Sequence, residues 1–154
     1  MSTPIVMRIP VPWVFVLAYV SGVVLQAFIP IPLSPHARDV GRVAGFILLS
    51  TGVALAAWAL TIFRKTQTTT IPGKISSQLV TWGPYRFSRN PMYVSLTLAY
   101  LGEAGILGQV WPFVPLVLTL VYVNWTLVPF EETQLQDTFG TAYAQYRANV
   151  RRWL

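Results

Sequence analysis

Val43-Ala44-Gly45-Phe46-Ile47-Leu48-Leu49-Ser50-Thr51-Gly52-Val53-Ala54-Leu55-Ala56-Ala57-Trp58-Ala59-Leu60-Thr61-Ile62-Phe63 is a run of 21 residues with no charged side chain, closed by Arg64 and Lys65. About 20 apolar residues in a helix cross the roughly 30 Å hydrocarbon core of a bilayer. The run is therefore a membrane span that ends at a headgroup surface. Gly45, Ser50, Gly52, Ala54, Ala56 and Ala57 within it are small, and small residues let helices pack closely in lipid.

Three further windows share this character: Pro12 to Ile29, Pro91 to Leu107, and Val110 to Phe130. Pro30-Ile31-Pro32 stops the first, because proline cannot continue a helix. Only Gly108 and Gln109 separate the last two, which implies a tight helical hairpin. After Phe130 the pattern changes. Leu135, Phe139, Ala142, Tyr143, Tyr146 and Val150 recur at three- and four-residue steps, which predicts an amphipathic helix over 131–150, broken near Gly140. It would lie on the membrane or fold back as a lid. The expected fold class is all-α: one polytopic membrane domain over 1–154, with about four transmembrane helices and a C-terminal amphipathic cytosolic helix.

Composition agrees. The chain is 54% hydrophobic and 10% charged, with mean hydropathy +0.53, whereas a soluble domain carries roughly 25% charged residues. The net charge of +6 comes from basic residues that flank apolar runs. They suit anionic lipid headgroups, not nucleic acid. There is no cysteine, which excludes disulfides, zinc–thiolate sites and a thiol nucleophile. The first apolar run lacks a strongly basic lead and a small-residue cleavage pattern, so it is taken as a retained span. With four spans, every basic residue except Arg38 and Arg42 falls on one face. The positive-inside rule makes that face, and both termini, cytoplasmic.

Three places carry chemistry. Gly83-Pro84-Tyr85-Arg86-Phe87-Ser88-Arg89-Asn90-Pro91-Met92-Tyr93 lies where a polar loop meets the third span. Pro91 suits a first helical turn with free N–H groups, and Arg86 and Arg89 add cations. The stretch is either a site for an anionic group or an interfacial anchor. Glu131-Glu132 either complement a helix dipole or place a carboxylate against a cationic ligand. Adjacent helical positions diverge by about 100°, so one of the pair is expected to meet ligand and the other to serve structure. Glu103, near the hairpin tip, either reaches the far interface or serves as an intramembrane coupling carboxylate. His36 sits alone in a Pro-rich loop with no partners at metal spacing, so no metal site is expected.

The stretch from Leu79 to Tyr93 resembles the signature of the isoprenylcysteine carboxyl methyltransferase and phospholipid methyltransferase superfamily, roughly L-V-T-x-G-x-Y-x-x-x-R-[HN]-P-x-Y. Glu131-Glu132 followed by Leu135, Phe139-Gly140, Tyr143, Tyr146 and Val150-Arg151 resembles its second motif. The resemblance covers Phe63 to Leu154 and implies an all-helical membrane methyltransferase using S-adenosylmethionine near the cytosolic face. It implies cofactor contacts at Gln78, Leu79, Val80, Tyr85, Asn90, Pro91, Met92, Tyr93 and Glu131, with Arg89 and Glu132 as catalytic neighbours. Glu132 is the candidate base for an amine acceptor. Asn90 stands where the eukaryotic carboxyl methyltransferases have histidine. Leu127 replaces an arginine they carry, which weakens the case for a prenylcysteine carboxylate. The implied partners are a lipophilic acceptor (isoprenylcysteine carboxylate-like, phospholipid amine or small thiol) and membrane lipids. A small four-helix transporter using Glu103 is the alternative. A nicotinamide-dependent reductase is a third reading, since related membrane cores host that chemistry too.

Overall fold

The computed structural model describes residues 10–66 and 78–154. Every helix or strand element among them is helical: α1 (Val11–Phe28), α2 (Pro35–Lys65), a 3₁₀ turn (Gly83–Arg86), α3 (Pro91–Leu107), α4 (Phe113–Tyr122), a π turn (Val123–Leu127), α5 (Val128–Phe139) and α6 (Thr141–Asn149).

Helix α2 begins well before Val43. Pro35 opens it, and the Ser34 hydroxyl accepts from the Ala37 N–H at 3.2 Å, a side-chain cap that satisfies a free helix-end donor. His36 therefore lies in the first helical turn, not in a loop. At about 1.5 Å per residue the helix is roughly 46 Å long. It exceeds the hydrocarbon core, and its first turns carry Arg38, Asp39 and Arg42 beyond the apolar run. Among the described residues, three helical stretches are long and apolar enough to cross a membrane: α1, α2 and the continuous Phe113–Phe139. The expected count of about four spans is approximate: α3 has 17 residues, about 26 Å by the same rise, at the short end for a crossing helix.

Helix α3 packs antiparallel along α2 with backbone against backbone. A Cβ placed on Gly102 would lie 2.5 Å from Leu49 N and 2.7 Å from Gly45 O; one on Gly52 would lie 2.8 Å from Ser95 O. Lipid tails are as apolar as leucine, so membrane helices gain little from hydrophobic burial against each other and rely on such close packing. Of the small residues singled out in α2, Gly45 and Gly52 form this seam, while Ser50, Ala54 and Ala57 are exposed.

At the far end, α3 closes in a Schellman motif. Gln109 N–H bonds Ala104 O at 2.9 Å and Gly108, in the left-handed region, bonds Gly105 O at 3.2 Å. Helix α1 completes the tip. Gln26 Oε1 accepts from the N–H groups of Val110 and Trp111, Tyr19 donates to Gln109 Oε1, and the Trp111 indole donates to Ile29 O at 2.6 Å. These bonds satisfy backbone groups that would otherwise be orphaned.

The fourth span does not stop at Phe130 before a separate tail helix. It runs on through Glu131 and Glu132 to Phe139, and the chain turns only at Gly140 (φ 52°). The π turn has a local cause. Pro129 offers no N–H to the carbonyl of Trp125, and its ring crowds that carbonyl. A widened turn relieves the clash, with Val128 N–H bonding Val123 O five residues back.

Gly102→Leu is expected to abolish the folded species, since the new side chain meets main chain with no room to yield. Size-exclusion chromatography in detergent should show aggregate in place of a monodisperse peak. Ala57→Leu, on an exposed face of α2, should leave the peak intact.

Candidate functional site

The antiparallel order of the helices brings the end of α2, the Gly83–Arg86 turn, the start of α3 and the α4–α5 junction to one end of the molecule. The turn is positioned by apolar contacts. Val80 and Tyr85 pack with Ala59 and Ile62 of α2, flanked by Phe63 and Met92. Gly83 sits at φ 65°, where an added Cβ would collide with Ile62. The Tyr85 ring meets Phe63 edge-on at 5.3 Å, and its backbone carbonyl accepts from the Tyr146 hydroxyl at 2.7 Å. Burial, then the neighbouring Tyr146 and Glu131, push the Tyr85 phenol up, so it stays a hydroxyl at neutral pH.

Glu131 and Glu132 face different surroundings. Glu131 Oε1 accepts from the Tyr93 hydroxyl at 2.8 Å. Tyr93 itself is buried in the apolar cluster with Val123, Leu127 and Val128. The second oxygen of Glu131 takes no hydrogen bond among the described residues, and the residue is half-buried. Glu132, only 8% exposed, is gripped from two sides. Arg89 Nη1 lies 2.9 Å from its Oε1. Arg152 donates from Nε to Oε1 at 3.2 Å and from Nη2 to Oε2 at 2.7 Å. Two guanidinium groups thus neutralise one buried carboxylate, and charged bonds of this kind are the strong ones.

The same tail residues tie down the α3 entrance. Arg89 N–H bonds Arg151 O at 2.9 Å. The buried Ser88 hydroxyl and the Asn90 amide both donate to Arg152 O, at 3.2 and 2.9 Å. Ser88 Oγ also accepts from Asn90 N–H at 3.1 Å. Arg89 Nη1 further donates to Tyr143 Oη at 3.5 Å. Among the described residues, Arg89 Nε is buried without a partner, and a buried unsatisfied donor of this kind calls for an explanation.

The structure gathers Val80, Tyr85, Met92, Tyr93 and Glu131 around one end and places Arg89, Asn90 and Glu132 in the adjoining polar knot. Leu79 is half-buried and Gln78 exposed at the loop edge, while Pro91 is buried at the first turn of α3. Glu103 is exposed near the opposite end of α3. Sequence reasoning missed Ser88, Asn124, Arg152 and Trp153. Ser88 lay inside the quoted motif. Arg152 and Trp153 gave no signal, since their partners are distant in the chain.

A groove of about 540 Å³ opens beside this end, between α3 and α4. Val94, Leu98, Val117, Val121 and Trp125 form its walls, with Asn124 and Trp153 at the end nearest Tyr93. Val117, Val121 and Trp125 are among the exposed apolar residues, so in a bilayer the groove faces lipid.

A family model described as phospholipid methyltransferase matches residues 40–142, a stretch that includes the first motif and the second as far as Phe139-Gly140. An uncharacterized protein of Haemophilus influenzae is 35% identical over 63 residues, which are 41% of this chain and the whole of that protein. No solved structure matches.

Removing Glu132 leaves the nearly buried Arg89 guanidinium, and the partly exposed one of Arg152, unneutralised. Glu132→Ala should therefore cost about 3–5 kcal/mol of stability, measured as a fall in Tm of the detergent-solubilised protein. Arg152→Ala, which leaves the Arg89 pair in place, should cost less.

Proposed function

The chain belongs to the phospholipid methyltransferase family, and on that premise we propose that it moves a methyl group from S-adenosylmethionine to a lipophilic acceptor that enters from the bilayer. The observation that carries this reading is Glu131. It is a carboxylate oriented by the Tyr93 hydroxyl, with one oxygen unengaged, beside buried Tyr85 and an apolar groove open to lipid.

The residues suit the donor. S-adenosylmethionine supplies an electrophilic methyl group on a sulfonium centre. Glu131 offers its open oxygen to the amino group, and Arg89 Nε, without a partner among the described residues, is a donor for the carboxylate. The faces of Tyr85 and Tyr93 attract a cation or an adenine ring. Gln78, Leu79 and Val80 form the loop edge. Asn90, Pro91 and Met92 form the α3 entrance, where the Asn90 amide nitrogen is already committed to Arg152 O, leaving its side-chain carbonyl for a ligand. Holding the reactants in line supplies much of the acceleration in a displacement, and an apolar surround excludes water.

Arg89 and Glu132 take a different part from the catalytic one that the sequence suggested. Both oxygens of Glu132 are engaged by guanidinium groups, which makes it a poor proton acceptor. We assign Glu132 to positioning and give Arg89 two parts: its Nη1 pair with Glu132 holds the α3 entrance against α5 and the tail, and its Nε is left for the donor's carboxylate. The asymmetry of basic residues supports a cytoplasmic side for this end and for both termini. A transporter built on Glu103 draws no support from that residue's exposed position, away from the groove.

Glu131→Gln should keep the Tm of the parent and weaken S-adenosylhomocysteine binding at least tenfold, as expected for loss of a charge-assisted bond. Isothermal titration of the purified parent and variant measures the affinity, and a thermal melt of each measures the Tm. Undiminished affinity in Glu131→Gln would overturn the assignment of the donor site.

A further inference from the structure

Asn124 is out of place in its helix. It sits in the π turn, between the core residue Val123 and exposed Trp125, on an otherwise apolar stretch. Its Oδ1 accepts from the Trp153 indole N–H at 2.9 Å, which fixes the orientation of the amide. The Asn124 Nδ2 donor then has no partner among the described residues, and the side chain lines the groove. The other polar side chain in the lining with a hydroxyl, Thr97, is committed to its own helix, donating to Tyr93 O at 2.8 Å. Among the described residues, no charged side chain lines the groove. Arg152, one residue before Trp153, is occupied by Glu132. Leu127, one turn beyond Asn124, is buried in the apolar cluster with Tyr93.

From this arrangement, and resting on the function proposed above, we infer that Asn124, held by Trp153, is the residue that orients the acceptor in the groove. It selects an aliphatic chain whose methyl-accepting head is uncharged and accepts a hydrogen bond. A carboxylate head would enter with no cation to offset its desolvation, a heavy cost in an apolar site. It would also meet the negative field of Glu131. An uncharged head, such as a free-base amine or a thiol, receives the Nδ2 donor without that cost. From Val117 to Trp125 the groove spans about 12 Å along the helix, close to the roughly 15 Å half-thickness of the hydrocarbon core. One extended chain therefore fits lengthwise, with its head at the Asn124 end.

The test uses two twelve-carbon photoprobes carrying a diazirine, one a dodecanol and one a dodecanoate, at pH 8, with and without S-adenosylhomocysteine. Label is mapped to peptides and titrated. The expected result is saturable labelling of residues 94–98 and 117–125, with dodecanol at least tenfold tighter than dodecanoate, given the cost of burying an unpaired charge. Asn124→Leu and Trp153→Phe should shrink that ratio toward one while Tm and S-adenosylhomocysteine affinity hold. Asn124→Arg should shift the preference toward dodecanoate. Labelling spread over α1 and α2 without saturation would overturn the inference. So would parent protein that binds dodecanoate as tightly, or an unchanged ratio in Asn124→Leu. Failure of S-adenosylhomocysteine to bind the parent would instead strike the donor site, with the groove still read by the labelling done without it.

Discussion

Main-chain contact between α2 and α3 is the constraint on which the molecule rests. Where Gly45 faces Gly102 and Gly52 faces Ser95, an added Cβ would overlap backbone atoms, so the two helices lie as close as polypeptide allows. In a bilayer no hydrophobic force drives such an association, and dispersion at short range has to supply it. The seam sets the antiparallel order. That order places the Arg64–Lys65 end of α2, the Gly83–Arg86 turn and the start of α3 at the same end of the bundle.

A second constraint is electrostatic. Glu132 carries one negative charge among Arg89 and Arg152 in a nearly closed setting. Buried pairs of this kind are weak evidence for added stability, but they define geometry strictly, because any misplacement leaves an uncompensated charge. Here they join three distant pieces: the α3 entrance, the middle of the long Phe113–Phe139 helix, and the residues after α6. Ser88 and Asn90 reinforce the joint through the carbonyl of Arg152. The neighbouring Glu131 is thereby left to face a different way, toward Tyr93, with half of its carboxylate uncommitted.

The π turn links packing to chemistry. It exists because Pro129 cannot donate to Trp125, and it changes the facing of the residues just before it. Its consequence is that Asn124 lines the groove and meets the Trp153 indole. Pro129 thus shapes the surface that an acceptor would meet.

The sequence by itself determined the helical membrane class, since uncharged runs such as Val43–Phe63 have one stable form in lipid, and it singled out the motif from Leu79 to Tyr93 and the paired glutamates. It also showed that Glu131 and Glu132 could not share a role, because neighbouring helix positions diverge. It missed the true start of α2 at Pro35, where a serine cap outweighs the charges that follow, and it ended the fourth span at Phe130, where hydropathy falls but backbone hydrogen bonding continues. Only the tertiary structure decided which glutamate is locked by arginines and which is open, and that Asn124 and Trp153 meet. Those pairings join residues far apart in the chain, and spacing along a sequence carries no record of which distant side chains share a charge or a hydrogen bond.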